Sequence, residues 1–273
     1  MTTRSQLPTI IVVWRGASSY NGQEIMLVAS CVRDPSQNGK TGPMIQLYSM
    51  PVGQVPSKAI YDGADEAVCG SCRHRPRVGG SCYVRVGQPS SGINGIWNSA
   101  LKRFPDFDAL LDALGVAGAN VRWGTWGDPA VVPTWCVVRV CAVAPGWTGY
   151  THLWRTCDQS LRAYLMASVD TPEERAEAKA MGWRTFRVRS HDEPLLPGEV
   201  VCPASTEWPH KPRQCDDCLL CDGAQREHGK DPVIIAHGDS AKIRRFWMMR
   251  QHGVPAERDV RGRVDQLPLL PLD

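Results

Sequence analysis

The sequence lacks the features that would assign it quickly to a membrane, secreted or nucleotide-binding protein. No uninterrupted apolar run approaches the roughly 20 residues of a membrane-spanning helix, so we expect no membrane partner. The N-terminal segment before residue 10 holds no apolar core of the kind that a secretory leader needs, and we expect a cytoplasmic protein. Residues 38–42 resemble a phosphate-binding loop, but Asp34 stands where its first glycine should be, so a turn is predicted instead.

A strong charge of one sign is equally missing. The formal net charge of +3 is too small to indicate a nucleic-acid partner by itself, although clustered arginines leave that option open. The length of 273 residues allows a substantial core, in one large domain or in one domain with appendages.

Cysteine, in contrast, is abundant. Eleven cysteines are many for a cytoplasmic chain, and in a reducing compartment they indicate metal ligands rather than disulfides. Seven of them fall into two clusters. The others sit singly in apolar or mixed surroundings and are expected to be small core residues: Cys31, Cys136, Cys141 and Cys157.

The first cluster is Cys69, Cys72 and Cys82, in a glycine-rich and strongly basic loop that cannot pack as an ordinary core segment. Thiolates at this spacing can converge on one metal ion or one iron–sulfur cluster. The fourth ligand is open: His74 would complete a closed zinc site, Cys31 is another candidate, and no fourth protein ligand would leave one iron of a cluster free.

The second cluster has four thiols within twenty residues, which indicates a closed four-ligand site that stabilises the fold. We expect either Zn²⁺ or an auxiliary iron–sulfur cluster there. Its residues are Cys202, Cys215, Cys218 and Cys221.

Hydrophobic patterns predict a β-hairpin near the N-terminus, two short helices after the first cysteine cluster, and then strands that alternate with helices or crossover segments. Asp106 to Leu114 is predicted as a helix that stops at Gly115, and Thr171 with Glu174 predicts a capped helix start. Alternation of this kind predicts an α/β fold with a parallel, barrel-like sheet. Its functional residues are expected at the carboxyl ends of the strands.

Further motifs resemble those of radical S-adenosylmethionine (SAM) enzymes. Gly127, Asp128 and Pro129 follow a predicted strand, and they resemble the Gly-Glu-Pro segment of that family, whose backbone contacts the amino group of SAM. A polar strand end at Ser168 and Asp170 resembles the strand that contributes groups to the SAM ribose. Here the cysteine spacing is C-x2-C-x9-C, whereas the family's usual spacing is C-x3-C-x2-C.

The resemblance covers roughly residues 65 to 225 and implies a partial (β/α)6-type barrel with an N-terminal β-hairpin region and a cysteine-rich C-terminal metal subdomain. We expect a β-rich segment at 1–64, an α/β core at 65–200, and a metal-binding region with an extension at 201–273. The resemblance also implies that Arg187 or Arg189 holds a carboxylate or phosphate of a ligand.

The loop around the first cluster, together with the Gly-Asp-Pro, Tyr-Thr-His and Cys-Pro-Ala-Ser segments, most resembles proteins of tailed bacteriophages. Some of these phages rebuild thymine bases in their DNA with radical SAM isomerases. The resemblance implies a 4Fe–4S cluster that cleaves SAM to a 5′-deoxyadenosyl radical, an amino-acid-modified thymine in DNA as substrate, and an external electron donor. The location would then be the host cytoplasm.

Two other functions match parts of the sequence, and the first of them stays open. A non-catalytic, double-zinc phage protein that binds nucleic acid through its arginines is the alternative. The basic, aromatic residues 242–250 have the composition to contact phosphates, and a solvated helix face over a hydrophobic stripe explains them at least as well. His191 and Glu193, followed by Cys215 and Cys218, superficially match zinc nucleobase deaminases, but Pro194 is awkward for the helix that would carry that motif. His152 is expected to be structural, although it ends a predicted strand.

Overall fold

The computed structural model of the chain describes residues 2–86, 92–225 and 229–252. The strands are β1 (Ile10–Ala17), β2 (Glu24–Ser30), β3 (Ile45–Pro51), β4 (Val121–Trp126), β5 (Trp147–Thr148), β6 (Tyr150–Thr151), β7 (Met166–Val169), β8 (Thr185–Arg189), β9 (Glu199–Val201) and β10 (Asp231–Ile235). The helices are α1 (Pro56–Asp62), α2 (Glu66–Cys69), α3 (Ile93–Ala100), α4 (Phe107–Ala117), α5 (Thr134–Val143), α6 (Pro172–Ala180), α7 (Cys215–Cys218) and α8 (Ser240–His252).

The strands form two five-stranded sheets. In the first, β1, β2 and β3 are antiparallel, and β3, β4 and β5 then run parallel. In the second, the order is β6-β7-β8-β10-β9, and all of its pairs are parallel. The fold is therefore α/β with one mixed and one parallel sheet, and in the described part of the chain the strands do not close into a barrel.

A single residue, Gly149, separates the last strand of the first sheet from the first strand of the second. A Cβ atom at this position would lie 2.6 Å from a methyl group of Leu165 and 2.7 Å from Cβ of Trp123. Only glycine lets the chain pass so close to β4 while it moves from one sheet to the other.

The core lies between the strands and the helices on their outer face. Val121 and Trp123 of β4 are fully buried, as are Leu110 of α4 and Val137 of α5. Alternation along β4 turns these apolar side chains toward the helices and sends Arg122 to the opposite face of the sheet.

Several predicted elements are confirmed, and others are corrected. The hairpin of β1 and β2 and the Thr171 cap of α6 are present. The predicted stop at Gly115 is wrong: α4 continues to Ala117 and ends at Gly118, whose φ of 55° is the left-handed conformation that glycine favours at a helix end. Helix α5, in the apolar stretch after Pro133, was not predicted.

The three predicted regions share the same two sheets. β3, from the region predicted to be an N-terminal segment, pairs in parallel with β4 of the predicted core. β10, from the predicted cysteine-rich region, lies between β8 and β9. The C-terminal extension from residue 253 onward lies outside the described residues. Among those described, no helix is both long enough and apolar enough to cross a membrane.

Candidate metal-binding sites

The first site lies at the edge where several parallel strands end. Asp128 follows β4, His152 follows β6 and Asp170 follows β7, so the sheet topology brings these three residues to one edge. The loop that begins at Cys69 reaches the same edge, because it follows β3 through α1 and α2.

Backbone hydrogen bonds attach the cysteine loop to the turn after β4. The N–H of Asp128 donates to the carbonyl of Val68 at 2.6 Å, and Oγ of Ser49 donates to the carbonyl of Asp128 at 3.2 Å. Gly127 has a φ of 78°, and a Cβ there would lie 2.4 Å from the carbonyl oxygen of Ser49. The close approach of this turn to β3 therefore requires glycine.

His74 connects two sides of the site through its ring. Nε2 lies 2.8 Å from Oδ2 of Asp170, and Nδ1 lies 2.8 Å from Oγ of Ser81. Burial acts to lower the pKa of His74, but the charge and hydrogen bond of Asp170 outweigh burial and raise it. Because both ring nitrogens are engaged by protein groups, neither is available to a metal in this arrangement.

The nine residues between Cys72 and Cys82 form a closed excursion of the loop. The N–H of Cys82 donates to the carbonyl of His74 at 2.8 Å, so the third thiol returns beside the second. Within the excursion, the N–H of Gly80 donates to the carbonyl of Arg75 at 2.9 Å. The guanidinium of Arg75 is buried, with Nη2 2.9 Å from Oδ1 of Asp65, and this ion pair fixes the excursion against α2.

The three thiols are close enough to influence one another. Burial raises the pKa of Cys69 well above its ordinary value, and the charges of Asp65, Cys72 and Cys82 add to this effect. Burial and the charge of Cys72 raise the pKa of Cys82 to about 11. Burial also raises the pKa of Cys72, so a metal that binds this loop has to displace the thiol protons.

Helix α8 covers this edge. The ring of Phe246 stacks on that of His74, with centroids 6.1 Å apart and planes 17° apart. Arg250 forms an ion pair with Glu193, and its Nη1 donates to Oγ of Ser190 at 3.2 Å. The helix is thus held over the site at the level of the loop after β8.

The second site is assembled from three parts of the fold. The N–H of Cys202 donates to the carbonyl of Val233 at 2.8 Å, and that of Cys215 donates to the carbonyl of Lys40 at 3.0 Å. The carbonyl of Cys221 accepts from Gly149, between β5 and β6, at 2.9 Å. These bonds hold the cysteine-rich segment against the sheets.

The four thiols of the second group also influence one another's pKa values. Burial raises the pKa of Cys221 well above its ordinary value, and the charges of Cys202, Cys215 and Cys218 raise it further. Burial likewise raises the pKa of Cys202 and Cys218. All four predicted ligands therefore lie in one neighbourhood.

The donor chemistry of both groups fits a thiolate-bound metal or cluster, because each consists of neighbouring cysteines anchored to the framework. As the side chains are placed in residues 2–86, 92–225 and 229–252, however, no three His, Cys, Asp or Glu residues form a group that could hold a metal ion. Cys31 is not near the first group: it follows β2 beside the start of β3, whereas Cys69 lies beyond the other end of that strand.

The residues predicted to bind SAM differ in how far their polar groups are already bonded within the protein. The carboxylate of Asp128 accepts from the N–H groups of Ala130 at 2.9 Å and His152 at 2.7 Å, so it joins the ends of β4 and β6. Ser168 lies within β7, and its carbonyl accepts from Nε1 of Trp154 at 3.1 Å. Asp170 differs, because it is only 4% exposed and its Oδ1 has no hydrogen-bond partner in the described structure.

Arg187 and Arg189 are engaged inside the protein. Arg187 forms two hydrogen bonds of 2.7 Å with the carboxylate of Glu199, which is itself buried. Arg189 pairs with Glu207 at 2.5 Å and donates to the carbonyl of Glu193 at 2.7 Å. Through these contacts both arginines hold the end of β8 to the segments that follow it, although Nε of Arg189 is buried without a hydrogen-bond partner in the described structure.

The chain matches no protein-family model, no curated protein and no solved structure. Similarity to known proteins therefore assigns neither a family nor an activity.

Proposed function

We propose that this chain is a radical SAM enzyme that holds a 4Fe–4S cluster with Cys69, Cys72 and Cys82. The observation that carries the proposal is the engagement of both ring nitrogens of His74 by Asp170 and Ser81. It leaves the loop with three thiol ligands and no fourth protein ligand. Three thiolates suit a cluster with one open iron, whereas a structural zinc site needs four protein ligands.

The order of the parallel strands supports a partial (β/α)6-type barrel. Strands β3, β4 and β5 are neighbours in the first sheet, and β6, β7, β8 and β10 are neighbours in the second. The cysteine loop follows β3, the Gly-Asp-Pro turn follows β4 and Asp170 follows β7. This is the order in which a radical SAM barrel presents its cluster loop, its SAM amino contact and its ribose contact.

The long spacing between Cys72 and Cys82 is consistent with a cluster-binding loop of the radical SAM kind. Because the N–H of Cys82 donates to the carbonyl of His74, the excursion of residues 73–81 leaves the path of the chain and returns to it. The third thiol thereby comes close to the second, as it does in the shorter spacing of the family.

A cluster of this kind, once bound, would supply the 5′-deoxyadenosyl radical by reductive cleavage of SAM, with electrons from an external donor. The contribution of the chain is binding, orientation and exclusion of water. Oδ1 of Asp170 is buried without a partner and would accept a hydrogen bond from a ribose hydroxyl. The backbone of residues 127–129 would contact the amino end of SAM, and α8 would shield the site from solvent.

The substrate is proposed from resemblance: an amino-acid-modified thymine in phage DNA, which the enzyme would isomerise. Helix α8 supports a nucleic-acid substrate, because it carries Lys242, Arg244 and Arg245, has no acidic residue in its first turn, and lies over the site. The same basic surface would serve the alternative, a non-catalytic protein with two zinc sites that binds nucleic acid.

Anaerobic reconstitution with iron and sulfide tests the proposal. We expect about four irons for each cluster, a broad visible absorption band and release of 5′-deoxyadenosine from SAM under a strong reductant. Cys82→Ala should abolish SAM cleavage while the fold is retained. Cys31→Ser is the matched control, because Cys31 lies at the opposite end of β3, and it should keep both iron and activity.

The alternative predicts a different result. Stoichiometric zinc in the purified chain, with no iron uptake on reconstitution, would refute the radical SAM proposal. Unfolding of Cys82→Ala, rather than loss of activity in a folded chain, would favour a structural zinc in the first loop.

A further inference from the structure

An exposed pair of rings lies beside the three-thiol loop. Tyr83 directly follows Cys82 and is 53% exposed. Its ring lies beside that of His237, with centroids 5.6 Å apart and planes 35° apart. A Cβ atom at Gly238 would lie 3.8 Å from Cβ of Tyr83, so the turn after β10 also contacts the tyrosine. The ring of Tyr83 is therefore held in place by its neighbours while much of it stays open to solvent.

His237 also positions a cation at this ring pair. Its Nδ1 lies 3.1 Å from the carbonyl oxygen of Ile235, so Nδ1 is the nitrogen that carries the proton. Nε2 then accepts a hydrogen bond from Nζ of Lys40 at 3.3 Å. Lys40 is exposed and comes from the loop between β2 and β3. An ammonium has three N–H donors, so its bond to His237 leaves Lys40 able to bind an anion at the edge of the rings.

Three distant segments of the chain meet around Lys40 and the two rings. Residues 37–44 carry Lys40, and residues 236–247 carry His237 and the first part of α8. Residues 208–215 are attached to the first segment, because the N–H of Cys215 donates to the carbonyl of Lys40 at 3.0 Å. The three segments therefore form one continuous surface.

This surface is strongly basic. The three segments contain six lysine or arginine residues and a single acidic residue, although the net charge of the whole chain is only +3. The acidic residue is Asp239, and its Oδ1 accepts from the N–H of Lys242 at 3.0 Å. Such a concentration of positive charge attracts the phosphates of a nucleic acid. We call the surface the basic strip, and it consists of Tyr83 and His237 with Lys40, Lys211, Arg213, Lys242, Arg244 and Arg245.

Helix α8 connects the basic strip to the carboxyl edge of the sheets. Lys242 and Phe246 are four residues apart, so they are neighbours on one face of the helix. Phe246 stacks on the ring of His74 in the cysteine loop. A nucleic-acid strand that crosses the strip therefore passes directly beside the three-thiol loop.

The combination of cations with an open aromatic ring distinguishes between possible partners. Duplex DNA exposes its phosphates but keeps the faces of its bases inside the stack, whereas an unpaired strand offers both phosphates and base faces. An acidic polypeptide would need only the cations. The position of Tyr83 among the basic residues therefore favours an unpaired strand.

We propose that the basic strip binds single-stranded DNA, with one base stacked on Tyr83 beside His237 and neighbouring phosphates held by Lys40 and Lys242. An unpaired nucleotide is thereby brought to the edge that carries the three-thiol loop. The choice of DNA rests on the proposed function, but binding to the strip requires neither a cluster nor SAM.

Fluorescence anisotropy of a labelled oligothymidylate of about 12 nucleotides, with the full-length chain, tests this inference. Affinity is measured at several salt concentrations, because each phosphate neutralised on a single strand contributes about −0.7 to the slope of log affinity against log salt. We expect unlabelled single strand to compete better than a duplex of the same length and better than polyglutamate. A duplex or polyglutamate that competes equally well would overturn the inference.

Two substitutions separate stacking from charge. Tyr83→Ala should weaken binding about 5- to 100-fold and leave the salt slope unchanged, because it removes a stacking surface and no charge. Tyr83→Phe should keep most of the affinity, because the ring remains. Lys40→Gln should weaken binding and reduce the magnitude of the salt slope by about 0.7. Wild-type affinity in Tyr83→Ala, or a wild-type slope in Lys40→Gln, would refute the proposed binding mode.

Phe104→Ala and Lys102→Gln are the matched controls. Both residues are exposed and lie in the segment before α4, a helix that packs on β1. Both variants should therefore keep the affinity and the salt slope of the parent chain. Losses as large as those of Tyr83→Ala and Lys40→Gln would show that any exposed ring or lysine has the same effect, which would contradict a specific site.

The failure of this inference differs from that of the proposed function. Because Tyr83 follows Cys82, circular dichroism and iron content after reconstitution are measured for each variant. If Tyr83→Ala does not fold, the salt slope of Lys40→Gln still decides the question, because Lys40 lies in a separate loop. A chain that releases 5′-deoxyadenosine from SAM but does not bind the oligonucleotide would refute only this inference. A chain that binds the oligonucleotide through Tyr83 but takes up no iron would refute only the radical SAM proposal.

Discussion

At the scale of single residues, His74 shows how a side chain can have the chemistry of a ligand and a different role. Its spacing from Cys72 makes it a plausible fourth ligand of a zinc site. The structure instead uses its ring to connect Ser81, within the excursion, to Asp170 at the end of β7. Sequence spacing could not distinguish these roles, because the deciding partner lies 96 residues away along the chain.

Replacement of His74 by asparagine separates a positioning role from a ligand role. If His74 positions the loop, His74→Asn should still take up iron at the first site, with affinity reduced by about tenfold because the loop loses an outer anchor. Iron and labile sulfide per chain, after anaerobic reconstitution, measure this. Cys72→Ser is the reference for loss of a true ligand, and equal loss of iron in the two variants would identify His74 as a ligand.

The core cysteines of α5 predict a pH dependence of stability. Burial raises the pKa of Cys136 and Cys141 to about 12, although Trp123 opposes the shift at Cys141. The folded chain therefore keeps protons that the unfolded chain loses from about pH 8.5 upward, so the free energy of unfolding falls as pH rises from there toward 12. The slope is at most about 1.4 kcal/mol per pH unit for each thiol.

Denaturant unfolding of the metal-free, reduced chain at about pH 8 and about pH 10 measures this slope. The double variant Cys136→Ala, Cys141→Ala should show a smaller fall, because two of the titrating thiols are removed while Cys82 and Cys157 remain. A double variant with the same slope as the parent chain would contradict the prediction.

At the scale of elements, the start of α6 combines a local signal with a tertiary one. Thr171 accepts from the N–H of Glu174 at 3.1 Å, as the sequence predicts for a helix cap. Glu174 also accepts from the N–H of Asp170 at 2.8 Å and forms an ion pair with Arg73 of the cysteine loop. The helix start therefore helps to hold both Asp170 and the loop.

Glu174→Ala should destabilise the fold by about 2 kcal/mol, because it removes hydrogen bonds to a charged and largely buried carboxylate. It should also reduce iron uptake at the first site, because Arg73 and Asp170 lose a common partner. Glu173→Ala is the matched control: Glu173 is the exposed neighbour in the same helical turn, and its removal should affect stability less and leave iron uptake unchanged. Equal effects in the two variants would argue against the tertiary role.

Local signals in the sequence predict most elements here, and tertiary packing explains the exceptions. Thr171 and Asp106 cap helices with their own side chains, so a short segment is sufficient to predict these starts. Gly115 lies inside α4 because the helix packs on through Ala117, which outweighs the low helix propensity of one glycine. Gly149 follows β5 and precedes β6, because the chain moves there from one sheet to the other.

At the scale of the whole molecule, the sheets join parts of the chain that the sequence suggests are separate. Region boundaries are predicted after residues 64 and 200, but hydrogen bonding between β3 and β4 and between β8 and β10 crosses both of them. The two thiol groups are also attached to the same framework, the first at the carboxyl edge and the second through Gly149 and Val233. Parallel pairing between distant strands leaves no short-range signal, so these connections could not be read from the sequence.

This connectivity predicts a single cooperative unfolding transition for the metal-free chain. Tryptophan fluorescence reports on the buried Trp123, Trp154 and Trp183, and far-ultraviolet circular dichroism reports on the backbone, so the two probes should give coincident transitions. Metal loading of the four-thiol group should move that transition as a whole to higher denaturant, because a ligand that binds only the folded chain stabilises all of it. Cys221→Ser should abolish the metal-dependent shift but keep the single transition. Two separate transitions, or a metal-dependent shift confined to one probe, would instead show that the cysteine-rich region folds apart from the sheets.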